Sequence, residues 1–298
     1  MTTLSTAARR PSTVEQVPVT EGAVIYRGVR SPYLASGDRR SQEAVVFLHG
    51  NPGSSEDWRD LVGRAGAFAR ALAPDMPGFG RADKPVDFDH TVQGYARHLD
   101  GLLRHLGVQR AHLVLHDFGG PWGLAWAARR PEHLASVTLI NVGIMPGYRW
   151  HSLARIWRTP VLGELLMATT TRTSFGLSLR RGNPRGLPAA MVDRMYRDLD
   201  RRTRRAVLRL YRATDDPGGM ADVLAPVFRR LDCPALVIWG AADPYAPVRY
   251  AEEQRRFFPR AQVVILEESG HWPFADDPEA VSAELIPFLR ARSSSWRR

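Results

Sequence analysis

Short apolar runs alternate with segments of helical periodicity along the first half of the chain. Such runs predict strands that are buried on both faces, and the segments between them predict amphipathic helices. The predicted strands cover residues 23–26, 44–48, 71–73, 111–115 and 137–142, and the predicted helices cover residues 57–71, 92–106 and 121–130. Continuous apolar strands that alternate with helices indicate a mostly parallel sheet with helices on both faces.

The alternation stops after residue 142 and resumes near residue 226. The segment 143–225 is rich in arginine, has helical periodicity over residues 191–211 and contains no apolar run typical of a strand. Beyond this segment, strands are predicted at 235–239 and 262–266, and helices at 248–258 and 278–292. We therefore predict one α/β core, built from residues 1–142 and 226–298, with an inserted helical cap formed by residues 143–225.

The composition is that of an ordinary globular protein. The 298 residues are 44% hydrophobic and 24% charged, which excludes disordered, collagen-like and coiled-coil chains. Cys233 is the single cysteine, so neither an intrachain disulfide nor a multi-cysteine zinc site can form. Residues 1–20 contain Arg9 and Arg10 without a following apolar run, and no stretch is apolar enough to span a membrane. We expect a cytoplasmic protein without a signal peptide or membrane anchor.

The positive charge is concentrated in one region. Residues 148–230 contain seventeen arginines and seven acidic residues, a surplus that equals the formal net charge of +10. Such a surplus could attract an anionic substrate, a nucleic acid or a membrane surface. No nucleic-acid-binding motif accompanies it, so the interpretation we favour is a solvated helical face with interleaved acidic residues. We expect no nucleic-acid or membrane partner, and the oligomeric state stays open.

A candidate nucleophile lies in the segment LHDFGG, residues 115–120. The segment follows a predicted strand and begins a predicted helix. In a nucleophile elbow, a strained turn of this kind exposes one side chain above the sheet, and the next backbone N–H becomes an oxyanion donor. Asp117 occupies the exposed position, and Gly119 and Gly120 allow the helix to start close to the strand. The alternative is that Asp117 only caps the helix that follows.

Four further motifs occur in the order that this kind of site requires. HGNP at residues 49–52 follows a predicted strand, and DMPGFG at residues 75–80 forms a turn. Asp243 and His271 each follow one of the two late strands. With these motifs the chain resembles the α/β-hydrolase superfamily over nearly its whole length. The resemblance implies an α/β-hydrolase fold with the chain order of nucleophile, acid and histidine.

The resemblance also implies a role for each candidate residue. Asp117, His271 and Asp243 would form the catalytic triad. The backbone N–H groups of Phe118 and Asn51 would hold the oxyanion. No cofactor is implied, and the remaining histidines lack metal-ligand spacing, so we expect no metal site.

An aspartate nucleophile favours reaction at alkyl carbon. A carboxylate that attacks an sp³ carbon forms an ester that water can hydrolyse, whereas attack on an acyl group forms an anhydride. Such aspartates resemble those of haloalkane dehalogenases and epoxide hydrolases. The resemblance implies an ester on Asp117, hydrolysed by water that His271 activates. Asn141 occupies the place where some dehalogenases carry the acid, and because it is not a carboxylate, Asp243 is favoured.

The leaving group separates the two activities. Halide departure needs N–H donors, and dehalogenases resemble each other in an asparagine within HGNP and a tryptophan after the nucleophile. Asn51 fits this pattern, whereas Phe118 does not, because a phenyl ring has no donor. Trp150 or Trp157 of the predicted cap could replace the missing indole, although packing is the interpretation that we favour for both.

Epoxide opening needs an acid for the alkoxide, and epoxide hydrolases resemble each other in supplying cap tyrosines. The segment LRLYR around Tyr211 resembles the cap helix that carries one of them, with plain packing as an equal alternative. Tyr148 is a candidate for a second phenol. The hypothesis is therefore an epoxide hydrolase that acts on a small apolar substrate with water. The alternatives are a haloalkane dehalogenase, an ester or lactone hydrolase, and a non-catalytic binding protein on the same fold.

Overall fold

One eight-stranded sheet forms the centre of the protein, which a computed structural model describes over residues 16–293. The strands are β1 (Thr20–Tyr26), β2 (Val29–Ser36), β3 (Glu43–Leu48), β4 (Arg70–Pro74), β5 (Arg110–His116), β6 (Leu134–Ile140), β7 (Ala235–Gly240) and β8 (Gln262–Leu266). Their order is β1-β2-β4-β3-β5-β6-β7-β8, and only the β1/β2 and β2/β4 pairs are antiparallel in the described chain. The mostly parallel sheet is as predicted. Most of the segment 1–20 that we interpreted from sequence lies outside the described residues.

Strand β2 is missing from the sequence-based prediction. Pro32 lies inside the strand, and proline weakens any strand pattern because it cannot donate a ladder hydrogen bond. The structure places β2 against β1 through a tight hairpin in which Arg27 and Gly28 both have positive φ, at 50° and 77°. Two consecutive positive φ values are typical of the hairpin turn whose twist matches that of the strands.

Twelve α-helices flank the sheet within the described residues. They are α1 (Arg59–Gly66), α2 (Val92–His105), α3 (Gly119–Arg129), α4 (Ser152–Arg158), α5 (Leu162–Thr169), α6 (Arg172–Arg181), α7 (Ala189–Asp198), α8 (Arg201–Ala213), α9 (Met220–Leu231), α10 (Arg249–Glu253), α11 (Pro273–Asp276) and α12 (Pro278–Arg290). In this part of the chain no helix has the length and apolar character needed to cross a membrane.

Three predicted helices differ from the observed ones. The helix predicted over 57–71 begins as a 3₁₀ turn (Ser55–Trp58) and ends at Gly66. The helical pattern over 191–211 is two helices, because the Asp200 side chain accepts the first N–H groups of α8 and starts a new helix there. The helix predicted over 248–258 is only the short α10 and a 3₁₀ turn (Gln254–Arg256).

Six consecutive helices, α4 to α9, form an insertion between β6 and β7. We refer to residues 152–231 as the helical insertion; the part of the chain between Ile140 and Ala235 contains no strand. Several of its arginines pair with carboxylates: Arg158 with Asp215, Arg172 with Asp193, Arg194 with Asp57, and Arg212 with Glu164. Part of the regional positive charge is therefore compensated within the fold.

Two apolar cores lie on opposite faces of the sheet. Alternating strand residues supply them, so that Val46 and Leu48 of β3 belong to one core while Val45 and Phe47 belong to the other. The first core includes side chains of α2, α3 and α9, and the second includes side chains of α1 and α12. The carboxyl ends of β3, β5, β6, β7 and β8 are thereby held at one edge, below the helical insertion.

Candidate active site

Asp117 lies in a tight turn between β5 and α3. Its φ is 48°, a left-handed backbone conformation that a non-glycine residue adopts rarely. The turn is close-packed: a Cβ on Gly119 would lie 2.3 Å from the Leu48 carbonyl oxygen, and a Cβ on Gly50 would lie 2.2 Å from Asp117 Oδ1. Glycine at these two positions lets the loop after β3 approach the carboxylate. The local geometry is that of a nucleophile elbow.

The loop after β3 provides a backbone donor to the carboxylate. The Asn51 N–H donates to Asp117 Oδ1 at 2.6 Å. The loop is positioned in turn by His49, whose Nε2 accepts the Met76 N–H at 3.0 Å. With the adjacent Phe118 N–H at the start of α3, the Asn51 N–H forms a two-donor site for an oxyanion.

His271 connects the other two predicted triad members. Its Nδ1 donates to Asp243 Oδ2 at 2.7 Å, and its Nε2 lies 3.5 Å from Asp117 Oδ2. Asp243 follows β7, and its Oδ1 accepts the backbone N–H groups of Tyr245 and Ala246 at 2.7 and 3.1 Å. The structure therefore brings Asp117, His271 and Asp243 into one row, with His271 Nε2 within ion-pair distance of the Asp117 carboxylate.

The charges of this row are coupled. Burial acts to raise the pKa of the Asp117 carboxyl, but the hydrogen bond and charge of His271 bring it below its usual value. Burial likewise acts to lower the pKa of His271, but the charge of Asp243 and the hydrogen bond to Asp117 raise it to about 10. The resting site therefore holds an imidazolium between two carboxylates. Any step that neutralises Asp117 removes one of these anions and lowers the pKa of His271.

The backbone at His271 is held by residues that the motifs do not include. The His271 N–H donates to the Gly182 carbonyl at 2.9 Å, and the Trp272 N–H donates to Asn183 Oδ1 at 3.0 Å. On the other side, His116 Nε2 donates to the His271 carbonyl at 2.7 Å. Gly182 and Asn183 follow α6, so the helical insertion itself fixes the position of the His271 loop.

A cavity of about 330 Å³ lies between the sheet edge and the helical insertion. Asp117, His271 and Asn51 form its polar end, and the described lining residues include no lysine or arginine. Most of the lining is apolar or aromatic. Within residues 16–293 no group of three metal-ligating side chains is arranged to hold an ion. The cavity therefore suits a neutral, largely apolar organic molecule.

Phe118 and Tyr211 form one wall of the cavity beside Asp117. Their rings meet edge to face with centroids 5.0 Å apart. Tyr211 belongs to α8 and is buried, and burial together with the nearby Asp117 charge raises the pKa of its phenol well above the ordinary value. Asn51 Nδ2 donates to the Tyr211 hydroxyl at 3.5 Å, a long contact that leaves the phenol proton free for another acceptor.

The other aromatic candidates differ in what their donors contact. The Tyr148 hydroxyl donates to the Tyr245 carbonyl at 3.1 Å, and the Trp150 indole N–H donates to the Thr214 carbonyl at 3.2 Å. Trp157 lines the cavity with its ring 4.8 Å from that of Tyr211, and within residues 16–293 its indole N–H has no hydrogen-bond partner. All three residues lie in the cavity wall, but the donors of Tyr148 and Trp150 are already engaged.

Tyr245 and His151 also line the cavity, and the sequence analysis assigned no role in this site to either residue. Tyr245 follows Asp243 by two positions and packs its ring 5.2 Å from that of His271. His151 lies just before α4 and packs 4.8 Å from Tyr245. The Asp-Pro-Tyr loop after β7 could have indicated Tyr245, whereas no local signal distinguishes His151 from the other histidines.

Comparison with known proteins places this geometry in a family. The alpha/beta hydrolase family model matches residues 45–284. A haloalkane dehalogenase of Mesorhizobium japonicum is 31% identical over 307 residues, with 96% of each chain covered. A cis-3-alkyl-4-alkyloxetan-2-one decarboxylase of Xanthomonas campestris is 30% identical over 287 residues, which cover 89% of this chain and 92% of that protein.

A solved structure agrees at the level of the fold. The structure of the epoxide hydrolase CorEH matches with a TM-score of 0.77 at 18% identity and covers 92% of this chain and 99% of that one. The named relatives thus are a dehalogenase and a decarboxylase, and the epoxide hydrolase structure shares the fold. The family match over most of the chain, together with the mostly parallel sheet and the inserted helices, confirms the predicted fold: this protein belongs to the α/β-hydrolase family.

Proposed function

We propose that this protein hydrolyses an alkyl electrophile through an ester on Asp117, and that the electrophile is an epoxide. The observation that carries the proposal is the placement of Asp117 between His271 and the Asn51 N–H. The Tyr211 hydroxyl lies in the same cavity wall, and among residues 16–293 no acceptor takes its proton. An exposed carboxylate in an elbow is a nucleophile suited to sp³ carbon.

In the first step, Asp117 attacks a ring carbon and the ring C–O bond breaks with its electron pair on oxygen. The alkoxide takes the phenol proton of Tyr211. Because Asp117 becomes a neutral ester, the pKa of His271 falls and its imidazolium releases a proton, which restores the phenol through water. The step ends with the ester, a neutral imidazole and an intact tyrosine.

In the second step, His271 Nε2 accepts a proton from water as the hydroxide attacks the ester carbonyl. The oxyanion that forms lies at the N–H groups of Asn51 and Phe118. Collapse of this intermediate breaks the bond to the alkyl oxygen, which leaves as an alcohol with the proton of the added hydroxyl. Asp117 is regenerated as a carboxylate beside an imidazolium, and the product is a diol.

The preference for an epoxide rests on the donors near the nucleophile. A leaving alkoxide is strongly basic and requires a proton, which the Tyr211 phenol supplies. A leaving halide requires N–H donors without proton transfer, and Phe118 provides no side-chain donor. The cavity wall beside Asp117 therefore fits an oxygen leaving group better than a halide.

Haloalkane dehalogenation is the second candidate. The Asn51 amide N–H groups face the cavity, where one of them could hold a halide. The likeness to the Mesorhizobium japonicum protein also favours it. The likeness to the decarboxylase adds a disubstituted oxetan-2-one to the compounds that should be tested.

Intact-mass analysis of His271→Ala separates these candidates. The variant can form the ester but cannot hydrolyse it, so it should accumulate an adduct that the wild type does not. Styrene oxide adds its whole mass, whereas 1,2-dibromoethane adds its mass less that of hydrogen bromide. The double variant Asp117→Asn/His271→Ala is the matched control and should stay unmodified.

The outcomes decide between the proposals. An epoxide adduct supports the proposed function, and an adduct from the bromoalkane alone supports the second candidate. An unmodified His271→Ala protein, alongside a wild type that turns over an epoxide, would exclude the covalent mechanism.

A further inference from the structure

Helix α5 of the helical insertion is apolar on both of its faces. On the inner face, Leu166 and Met167 line the cavity. On the outer face, Leu162 and Leu165 are 53% and 58% exposed, and Val161, which directly precedes the helix, is 75% exposed. A helix that is hydrophobic all round is ordinarily covered on every side. In this protein the described residues cover only the inner face of α5.

The exposed large apolar side chains of the protein are concentrated around this helix. Residues 16–293 contain eight of them, and four lie within residues 156–165. Single exposed apolar residues are ordinary on a protein surface, whereas a cluster of them marks an interaction site. We call this cluster the apolar patch; its members are Ile156 on α4, which packs against α5, and Val161, Leu162 and Leu165.

Arginines of α8 border the apolar patch. Arg201, Arg205 and Arg212 follow one another at intervals of four and seven residues, so they lie on one face of α8. Arg212 pairs with Glu164, the only charged residue of α5, at 2.6 and 2.8 Å, so this face lies beside α5. Arg201 and Arg205 are exposed, and among the residues that the structure describes neither pairs with a carboxylate.

The combination of an apolar patch and uncompensated arginines selects one kind of partner. A bilayer that contains anionic lipids offers phosphates to the arginines and an acyl boundary to the apolar side chains. A nucleic acid would bind the arginines but would leave the apolar patch in water. A second copy that docks through a two-fold contact over this patch would bring the same arginines together, where they repel one another.

We propose that the outer face of α5 docks on the surface of an anionic phospholipid bilayer, with the apolar patch at the acyl boundary and Arg201 and Arg205 at the headgroups. This inference does not depend on the proposed function. It replaces the sequence-based expectation of no membrane partner, because the exposure of α5 follows from how the helical insertion packs. Since Leu166 and Met167 of the same helix line the cavity, the bilayer surface lies one helix away from it.

Cosedimentation of the full-length protein with vesicles tests the proposal. One set of vesicles contains phosphatidylglycerol and phosphatidylcholine in equal parts, and the other contains phosphatidylcholine alone. The variant Leu162→Ser/Leu165→Ser removes two side chains of the apolar patch. Its matched control is Ile25→Ser/Val223→Ser, which removes two exposed apolar side chains from β1 and α9.

A second pair of variants tests the charges. Arg201→Gln/Arg205→Gln removes the two arginines beside α5. Arg39→Gln/Arg40→Gln is the matched control, because both residues are exposed and precede β3, at the edge of the sheet opposite the helical insertion. Melting temperatures of all four variants check that the fold is kept.

The wild type should sediment with the phosphatidylglycerol vesicles and stay in solution with phosphatidylcholine alone. The leucine variant should bind the anionic vesicles about tenfold more weakly or worse, because two apolar side chains no longer leave water. The arginine variant should also lose about tenfold or more, since each arginine near an anionic surface strengthens binding roughly fivefold. Added salt should weaken binding of the wild type more than that of the arginine variant. Both controls should bind like the wild type.

A fluorescent label provides a measurement that does not depend on loss of binding. Cys233 is the only cysteine and is buried, so a thiol introduced by Leu165→Cys can be labelled selectively with an environment-sensitive dye. Its emission should shift to the blue when phosphatidylglycerol vesicles are added. The same dye on Val223→Cys should not respond.

Each contrary outcome overturns the proposal. A wild type that stays in solution with both kinds of vesicle does not dock on lipid. Equal losses in the patch variants and in their controls would show that the binding surface is not the outer face of α5. A dimer in light scattering that dissociates in Leu162→Ser/Leu165→Ser, together with no blue shift at position 165, would identify a second copy as the occupant.

Discussion

Asn141 donates its side-chain N–H to Asp243 at 2.8 Å, to the same Oδ2 atom that accepts the Nδ1 proton of His271. The two residues come from neighbouring strands: Asn141 directly follows β6, and Asp243 follows β7. Asn141 also accepts the Gly240 N–H at 2.9 Å, and its φ is 47°. The residue that follows β6 thus contacts the Asp243 carboxylate. An aspartate at position 141 would place a carboxylate at the same point.

This contact predicts that the carboxylate that orients His271 can be moved from position 243, after β7, to position 141, after β6. Asp243→Asn should lower turnover on the order of 10²- to 10⁴-fold, because the amide does not stabilise the imidazolium and disturbs its orientation. Asn141→Asp in that background restores a carboxylate beside His271 and should recover at least tenfold of the lost rate. The measurement is steady-state turnover of the best electrophile.

Asn141→Asp alone is the matched control. It places two carboxylates in contact and should lower the thermal stability, since like charges at this distance repel. Equal rates in Asp243→Asn and in the double variant would show that the end of β6 cannot orient the histidine.

The motif residues could be assigned from sequence because strand ends define their positions. The elbow at Asp117, the loop with Asn51 and the loops with Asp243 and His271 each follow a strand with an apolar pattern, and the strands are neighbours or next-neighbours in the sheet. Local sequence therefore contains most of the information for this part of the site. Strand β2 escaped because Pro32 interrupts its pattern.

The contacts from the helical insertion could not be derived in this way. Asn183 binds the backbone of Trp272, 89 residues later, and His151 reaches the cavity only because α4 packs against α8. No periodicity or spacing encodes how a helical insertion docks on a sheet edge. The same reason explains why Tyr148 looked suitable from sequence although its hydroxyl is engaged by Tyr245.

Tyr211→Phe tests the proposed proton donor. The variant should be alkylated by epoxides at least tenfold more slowly, because removal of a transition-state donor costs about 2.7–4 kcal/mol. Its melting temperature should change little, since the hydroxyl makes only the 3.5 Å contact with Asn51. Turnover of bromoalkanes should stay nearly unchanged because halide needs no proton. An unaltered epoxide alkylation rate in rapid-quench experiments would remove Tyr211 from the mechanism.

Phe118→Trp tests whether the missing side-chain donor at position 118 disfavours dehalogenation. The phenyl ring packs against Tyr211 and Trp150, with centroids 5.0 and 6.0 Å away, so an indole at this position would bring an N–H to the cavity wall beside Asp117. We expect bromide release from 1,2-dibromoethane to rise by about tenfold, since hydrogen bonds to charged groups contribute about 1.5–3 kcal/mol. Phe118→Leu is the control without a donor. Efficient dehalogenation by the wild type would show that Phe118 is no obstacle.

Asn183→Ala tests whether the helical insertion positions His271. The side chain is buried, accepts the Trp272 N–H at 3.0 Å and donates to the Leu179 carbonyl at 2.9 Å. Its loss leaves the Trp272 N–H without this acceptor, whereas the Leu179 carbonyl still accepts the Gly182 N–H, and should lower the free energy of unfolding by about 1–3 kcal/mol. Hydrolysis of the ester should slow more than its formation, because only hydrolysis depends on the placement of His271. Equal effects on both steps would make the residue merely structural.

Acid should destabilise the protein through buried histidines that are neutral in the native state. Burial lowers the pKa of His90 and His98 to about 4 and that of His116 to about 3, whereas an unfolded histidine titrates near 6.5. Between pH 4 and 6.5 the unfolded chain therefore binds more protons than the native one, so stability rises with pH in this window and is lost as pH falls. His271 has the opposite effect on the pH dependence of stability, because its pKa is raised to about 10. Its contribution to the free energy of unfolding is complete below pH 6.5 and disappears as the pH approaches 10.

The test is the slope of unfolding free energy against pH, measured by urea titration at pH 5 to 6. Each histidine that charges on unfolding adds about 1.4 kcal/mol per pH unit to this slope. His98, whose Nε2 lies 2.8 Å from Ser31 Oγ, offers the sharpest comparison, because glutamine can keep a polar contact there but cannot titrate. His98→Gln should therefore reduce the slope by roughly one proton at pH 5. An identical slope in wild type and His98→Gln would mean that His98 is already charged in the folded protein.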